Sequence, residues 1–555
     1  MAASVTGATG DAVFHDVVTQ PERRAEYLRA GLWDGSTLGQ TAAEHARAAP
    51  DRVAVVDREG QRTTTYGTLL ADARRLAQWM RSREVVPGDL ISVQLPNWYE
   101  TVVVAIAAQL AGAVVNPLLP NYRVRELAHV FGTARPKLLF SPASYRDCDH
   151  VQLARDAMRA ADVTLAHVVV GEPDAGDCYR WEEAMDGAAW PSEPPPEDGL
   201  AGRVSELIFT SGTEAVPKAI MHTEDTANFS VRTAFTDLRM TETDVVWMPS
   251  PLGHSTGFNY GLRLALYHGL RLVLQDRWHP ETAVDLITSQ GCTYTLSATT
   301  FLQDLVAEAL RRGQQLPMLR LFGCGGAPVP PALVAQASEA GIGVLRLYGS
   351  TEALVATWNR PGSPQTARMQ TDGIAMSDVE VEVRDDDGRV CPPGLAGEIC
   401  VRGPNTCVGF FADPRRTAAT FSNGWVRSGD LGVRDADGYL CIVGRKKEII
   451  IRGGLNIAPR EIEELLIQFP EVRQAAVLGV ADRRLGERIC ACVVLHPGAQ
   501  LDLGRLRERL GAVGLAGFKV PETLRIVDAI PMTASGKVQK HLLASQLERS
   551  DARQH

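Results

Sequence analysis

Two rhythms of apolar residues alternate along the chain. Short continuous apolar runs recur at 53–57, 89–93, 113–117, 137–140, 207–209, 245–249, 319–326 and 344–347. Between them lie stretches whose apolar residues return every three or four positions: 38–49, 63–80, 98–110, 126–131 and 331–340. Runs without in/out alternation predict strands buried on both faces, and the 3.6-residue rhythm predicts helices packed over them. Strands and helices in alternation predict an α/β chain built on a doubly wound parallel sheet.

Past residue 379 the pattern changes. Residues 379–401 read as antiparallel strands around the turn Asp385-Asp386-Asp387-Gly388. A strand at 439–443 follows, and then a smaller part: a strand at 448–451, a loop at 452–459, a helix at 460–469, strands at 474–480 and 488–495, and a helix at 503–510. Pro459 stands in the favoured first turn of its helix. Residues 1–35 are expected to be a loosely held leader, and 173–199, rich in Pro, Gly and acids, a surface excursion.

At 555 residues the chain exceeds one hydrophobic core and calls for at least two domains. A net charge of −9 argues against a nonspecific nucleic-acid binder. The longest apolar run, 101–119, contains Gln109 and Asn116, so a buried helix entering a buried strand is expected in place of a membrane span. Residues 1–20 carry acids and lack the apolar core of a signal peptide. The ten cysteines are scattered, with only Cys490 and Cys492 close together, which fits reduced thiols in a cytoplasm.

The candidate chemistry sits where the strands end. After Phe209 the chain reads Thr210-Ser211-Gly212-Thr213-Glu214-Ala215-Val216-Pro217-Lys218. Small hydroxyl residues, a glycine and a lysine suit phosphate oxygens, although an ordinary polar turn has the same composition. Gly253-His254-Ser255-Thr256-Gly257 matches the G-x-S-x-G elbow of serine hydrolases, with Ser255 as nucleophile; Pro249 and Pro251 weaken that match. Gly323-Cys324-Gly325-Gly326-Ala327-Pro328 lets a flat ring approach backbone. Tyr348-Gly349-Ser350-Thr351-Glu352, the acid of Gly429-Asp430, the run Gly444-Arg445-Lys446-Lys447, and Ser535-Gly536-Lys537 complete the set.

Together these motifs, in this order, resemble the adenylate-forming superfamily of acyl-CoA synthetases and peptide-synthetase adenylation domains, over about 37–543. The resemblance implies a large domain, 1–446, of two αβ-layered sheets plus a small barrel-like sheet, then a small mobile α+β domain, 447–555. It implies ATP, coenzyme A and Mg²⁺, and two half-reactions: a carboxylic acid is adenylated, then the acyl group passes to a thiol. Thr210, Ser211, Gly212, Thr213 and Lys218 would bind phosphates. Gly325, Gly326, Ala327, Pro328, Tyr348, Gly349, Ser350 and Thr351 would hold the nucleotide, Asp430 and Arg445 its ribose, and Glu352 the Mg²⁺. His254, Gly257, Phe258, Gly323, Cys324 and Gly325 would line the acyl pocket. Lys537, with His254, Thr351 and Glu352, would be catalytic, Lys447 the hinge, and Arg452, Gly453, Gly454, Phe518 and Lys519 the CoA site.

Three function classes stay open on the sequence: an acyl-CoA ligase, a serine hydrolase using Ser255, and a nucleotide-binding module without catalysis. Within the first, a carrier protein could replace CoA as acceptor. Small residues at 253, 255, 257, 323 and 325 predict a bulky apolar acid from secondary metabolism. The phosphate loop departs from the superfamily pattern at Glu214, Ala215 and Ala219. An alanine forced into a left-handed conformation costs roughly 1–2 kcal/mol. A carboxylate about 5 Å from each phosphate charge adds roughly 3 kcal/mol of repulsion at an effective dielectric near 20. These departures predict weakened adenylation, and a possible enzyme that only passes the acyl group of an acyl-adenylate, made by a separate adenylating enzyme, to CoA. Lys537, which such an enzyme would not need, opposes that reading.

Overall fold

The computed structural model describes residues 18–172, 177–186, 202–210, 217–453, 455–533 and 537–552. Among them, two large sheets lie back to back in a multidomain α/β fold. In the first, parallel strands Val53–Asp57, Val245–Met248, Arg271–Leu274, Tyr294–Ser297, Leu321–Cys324 and Val344–Ser350 form the centre, and antiparallel strands close both ends. In the second, the parallel centre is Val114–Pro117, Leu90–Val93, Leu138–Pro142 and Ala166–Val170. Strand Val204–Phe209 adds in parallel and then turns back antiparallel into Ala219–Thr223.

The helices between the sheets explain the longest apolar run. Every residue of Tyr99–Leu110 is buried, because this helix packs against other elements on all sides. Gln109 and Asn116 of the run are both buried, and Asn116 is used: its amide donates to Leu207 O at 2.7 Å and its carbonyl accepts from Ser92 Oγ at 2.9 Å, tying neighbouring strands together. No helix among the described residues is long and apolar enough to cross a membrane.

A third sheet is antiparallel: Glu380–Arg384, Ala396–Arg402 and Trp425–Arg434 with Leu440–Arg445. The last sheet is small and has its own core around Ile450, Ile462, Val477, Ile489 and Leu506. Its long hairpin, Val472–Asp482 with Gly486–Leu495, places the Cys490 and Cys492 sulfurs on one face, 4.0 Å apart. None of the ten cysteines forms a disulfide.

Several expectations need correction. From residue 18 onward the leader is docked: helix Pro21–Arg29 brings Tyr27 and Trp33 into the main core, and the Trp33 indole donates to Pro404 O at 3.1 Å. The excursion is partly structural. Tyr179–Arg180 joins the second sheet beside Val168 and Val169, and helix Trp181–Met185 packs on the core. Residues 455–457, read as loop, pair with Ile450–Arg452 as a hairpin. The strands Leu354–Trp358 and Thr523–Ile526 and the helix Lys540–Ala552 were not anticipated.

Candidate functional site

Of the predicted residues, His254, Gly325, Gly326, Tyr348, Thr351, Asp430, Arg445 and Lys537 converge beyond the carboxyl ends of the first sheet's parallel strands, where open α/β sheets place ligands. The third sheet and the small sheet close over them.

The nucleotide side is built most completely. Strand Val344–Ser350 delivers Tyr348, which is 7 % exposed and donates its hydroxyl to Asp430 Oδ2 at 2.8 Å. Asp430 sits directly across the third sheet from Arg445, and Arg445 Nε lies 3.0 Å from Asp430 Oδ1. Burial pushes the Asp430 carboxyl up from its ordinary range, while Arg445 and Tyr348 oppose that shift. Gly326, Ala327, Pro328, Tyr348 and Asp430 surround a cavity of about 180 Å³. Gly326 has φ +80° and passes beneath the Lys537 chain, whose Cε would stand 3.4 Å from any added Cβ.

Lys537 reaches this point from the small sheet. Thr533 and Lys537 are tied to each other: Thr533 N donates to Lys537 O at 2.7 Å and Lys537 N donates to Thr533 Oγ1 at 3.0 Å. The side chain enters both the nucleotide cavity and a neighbouring one of about 70 Å³. Burial, then the nearby Arg445, lowers the Lys537 ammonium from its ordinary value; Asp430 and Glu352 hold it back.

His254 faces Lys537 across that smaller cavity. Its Nδ1 accepts from Thr256 N at 3.2 Å, and burial followed by the Lys537 charge lowers the ring to about 3. It is therefore a neutral wall of the cavity near pH 7. Of the other expected acyl-pocket residues, Gly325 also lines the cavity, whereas Gly257, Phe258, Gly323 and Cys324 do not. The space their small size suggested is filled by neighbours. A Cβ on Gly253 would stand 2.2 Å from Leu118 O, and one on Gly257 2.2 Å from Pro251 O. Phe258 and Cys324 belong to the core, and burial raises the Cys324 thiol to about 12. The walls are instead Tyr260, Leu296, Leu347, Leu354 and Val355, with Ser250 and Ser297 hydrogen-bonded at 2.8 Å. The five residues after the Tyr348 motif could have suggested Leu354 and Val355; nothing in the sequence marks Tyr260.

At the phosphate loop, Thr210 and Lys218 face each other just past the paired strands: Thr210 N donates to Lys218 O at 2.9 Å, and Lys218 N to Thr210 Oγ1 at 3.4 Å. Lys218 borders an outer cavity of about 360 Å³ with Asp430, Arg445 and Lys447. Ser211, Gly212, Thr213, Glu214, Ala215 and Gly454 lie outside the described residues. Ala219 corrects the sequence reading: it is extended, within Ala219–Thr223, paired with Phe209 and absent from the left-handed region, so alanine costs nothing there.

Ser350 Oγ accepts from Ala353 N at 3.2 Å, and the Gly349 Cα passes so close to Leu354 O that a Cβ would meet it at 2.2 Å. Among the described residues, no cluster of three or more His, Cys, Asp or Glu could hold a metal. A lone carboxylate, Glu352, fits Mg²⁺ that arrives on nucleotide phosphates, since this ion keeps one or two protein carboxylates plus phosphate oxygens. The hydrolase geometry is missing. Ser255 opens a helical turn and has no left-handed φ, unlike the strained elbow that exposes a nucleophile.

Lys447 lies in the short turn Lys446–Glu448 between the third and last sheets. The expected CoA residues stand apart from Lys537: Arg452 pairs with Glu522, Lys519 with Glu461 at 2.7 Å, Gly453 N donates to Leu485 O at 2.7 Å, Phe518 is 38 % exposed, and none borders the two inner cavities. A further cavity of about 190 Å³ meets the acyl cavity at Pro251 and carries Arg123, Tyr145 and Arg146.

Comparison with known proteins gives the family. Residues 42–411 match the sequence model of AMP-binding enzymes, and residues 461–537 that of the AMP-binding enzyme C-terminal domain. The chain is 37 % identical over 533 residues to a medium-chain fatty-acid–CoA ligase of Escherichia coli (strain K12), covering 95 % of this chain and 93 % of that one. It is 34 % identical over 543 residues to a 2-hydroxy-7-methoxy-5-methyl-1-naphthoate–CoA ligase of Streptomyces carzinostaticus, covering 95 % and 96 %. Among solved structures, ATP-bound MatB from Rhodopseudomonas palustris superposes with a TM-score of 0.82 at 28 % identity, covering 92 % of this chain and 99 % of that one.

Proposed function

The chain belongs to the AMP-binding enzyme family, and from that premise we propose that it is a carboxylic acid–CoA ligase working through an acyl-adenylate. The observation that carries the reading is Lys537 standing at the junction of the nucleotide and acyl cavities, next to the Tyr348–Asp430–Arg445 set.

In the first half-reaction a carboxylate oxygen attacks the α-phosphorus of ATP, and pyrophosphate leaves with the broken P–O bond. Lys537 bridges the carboxylate and the α-phosphate, an electrostatic role suited to a water-excluded site. Thr351 donates to the α-phosphate, Asp430 accepts from the ribose hydroxyls, and Tyr348 packs on adenine. Glu352 would hold Mg²⁺, which neutralises phosphate charge. In the second half-reaction the CoA thiol attacks the acyl carbon and AMP leaves. We propose that the small domain, 447–555, turns about Lys447, withdrawing Lys537 and bringing in Arg452, Gly453, Gly454, Phe518 and Lys519. The thiol would arrive past Pro251, with Arg123 and Arg146 at the outer rim for CoA phosphates.

We also keep a bulky, mostly apolar acid of secondary metabolism in the proposal. The naphthoate-acting relative supports it. The glycines do not, and a cavity of about 70 Å³ is small beside the roughly 300–1,000 Å³ of ordinary ligand sites. Such an acid requires Leu296, Leu347 and Leu354 to part.

A second reading rests on Glu214 and Ala215: the enzyme performs only thioester formation, on an acyl-adenylate delivered by another enzyme. With Ala219 accommodated in its strand, the charge of Glu214 is the stronger argument. Two assays separate the readings. One supplies ATP, Mg²⁺, CoA and a panel of acids; the other supplies synthetic acyl-adenylates and CoA. Turnover in both establishes the complete ligase. Turnover only in the second, with adenylation gained by Glu214→Thr and Ala215→Gly, establishes the split enzyme. Turnover in neither overturns both.

A further inference from the structure

We infer that His222 is a positioning residue: it holds the turn that presents Thr351 and Glu352, and ties that turn to the strand leaving the phosphate-loop hairpin. The inference rests on the proposed function, which gives Thr351 and Glu352 their roles.

The turn joins strands Val344–Ser350 and Leu354–Trp358 and is held from outside at five backbone atoms. Thr351 O lies 2.7 Å from His222 Nε2, and Glu352 O accepts from Cys407 N at 2.7 Å. Ala353 O and Val355 O accept from the Asn405 amide at 2.6 and 3.0 Å, and Val355 N donates to the Tyr260 hydroxyl at 2.7 Å. Leu354 sits at φ +50°, a left-handed conformation that a bulky side chain keeps only where its surroundings over-determine it. These outside contacts are what over-determine it.

His222 is the side chain that grips Thr351 itself. It is fully buried on Ala219–Thr223, a strand that begins one residue after Lys218. Its Nδ1 lies 3.1 Å from Thr226 Oγ1, in the first turn of helix Glu224–Asp237. Burial lowers the ring to about 4, so it is neutral and has one N–H. A carbonyl oxygen can only accept, so Nε2 is the protonated nitrogen and Nδ1 accepts from the Thr226 hydroxyl. The ring therefore has one orientation and one tautomer. It fixes the backbone of Thr351 relative to the hairpin that leads to Thr210 and Lys218, so the two phosphate-facing segments share a mount.

The test needs no knowledge of the acid. Calorimetric titration with AMP and with adenosine gives the preference for the phosphorylated ligand, which reads the Thr351–phosphate contact and not general foldedness. His222→Gln puts an amide donor near the place of Nε2 and keeps the Thr351 bond; His222→Asn reaches only the Thr226 side; His222→Leu makes neither. The AMP-over-adenosine preference should fall about tenfold in the Leu and Asn variants and stay within about twofold in Gln, with adenosine affinity unchanged throughout. Equal behaviour of Gln and Asn overturns the inference, and that contrast decides the matter alone if the Leu variant does not fold. Thr351→Val, measured in parallel, separates this from the underlying reading. If it leaves the preference intact, the role of Thr351 fails. If it lowers the preference while every His222 variant is unaffected, the role of His222 fails.

Discussion

The site has two halves, the Thr351–Glu352 turn and the Lys537 loop, and they are held in opposite ways. The turn is gripped by His222, Asn405, Tyr260 and the backbone of Cys407, all from the large assembly of sheets. Beneath it the fully buried Arg263 donates to Glu206 and Glu224 and to the amide oxygens of Asn228 and Asn259. The Lys537 loop is carried by the small sheet, and its ammonium is desolvated. One ion pair that joins the small sheet to the large assembly, Arg460 with Asp372, spans 3.9 Å. Under the proposed function the first half stays and the second leaves, as two half-reactions at one phosphate require.

The fixed half breaks most severely from its foundation. Removing one partner of a buried charge network leaves the others uncompensated and costs about 3–5 kcal/mol. Arg263→Met leaves Glu206 and Glu224 in that state. Hydrogen exchange should rise across Val204–Phe209 and Leu264–Tyr267 and stay unchanged across Val472–Asp482. Equal loss of protection in the small sheet would mean that the two halves are not separately held.

The Lys537 half should break in function without losing stability. Lys537→Met keeps the length of the chain and removes the charge. If the protein adenylates, acyl-adenylate formation should drop by about 100-fold or more, in line with loss of a preorganised electrostatic contact. Thioester formation from a supplied acyl-adenylate should stay within about threefold, because the proposed rotation withdraws Lys537 before that step. Single-turnover measurements of each half-reaction check both.

The sequence made the two halves legible to different degrees. The motif residues Tyr348, Asp430, Arg445 and Lys537 were singled out by side-chain type and order, and the fold gathers them around one cavity. The grip on the turn was not readable: His222 and Asn405 act through backbone carbonyls of distant segments, 129 and 52 residues away, and no local pattern records such a partner. The acyl wall was misread for a related reason. Gly253 and Gly257 are small because backbone carbonyls press against them, and a sequence does not distinguish a glycine that yields room from one that permits contact. The alternation of strands and helices was visible over 38–140, since burial on both sheet faces fixes composition directly, but strands Arg271–Leu274 and Tyr294–Ser297 and the helices around them were not read. Leu354–Trp358 escaped notice because its turn begins inside the recognisable motif.

The pH response sharpens the contrast further. Lys537 has its affinity for protons lowered in the closed arrangement. The open or unfolded lysine therefore binds more protons, and the closed arrangement becomes more favourable as pH rises between the lowered value and about 10.4. The Lys537 charge, catalytic in the proposed function, is lost over the same interval. Adenylation should therefore decline on the alkaline side, up to tenfold per pH unit, below the pH at which an ordinary lysine titrates. Thioester formation from acyl-adenylate should show no such limb. Coincident limbs for the two half-reactions would place the titration elsewhere.

The smallest effect concerns the link between the halves. Arg460 lies on helix Pro459–Leu466 of the small sheet, bonded to Glu464 at 2.8 Å, and reaches Asp372. Asp372 belongs to the fixed half: Arg346 binds it at 2.9 Å and Ile442 N donates to it at 2.9 Å. At 3.9 Å the Arg460 contact is long for a charge-assisted hydrogen bond and is the weaker of the two ion pairs that Asp372 makes. Arg460→Gln removes the charge and leaves the Arg346–Asp372 pair intact, so no buried ion is stranded. The closed arrangement should lose up to about fivefold in population relative to the rotated one. Any adenylation should slow and thioester formation quicken by similar modest factors, with the thermal transition of the protein unchanged. A fall in both half-reactions together would show that Arg460 supports the small sheet's own fold, and the link between the halves would then have to be sought at Lys537 alone.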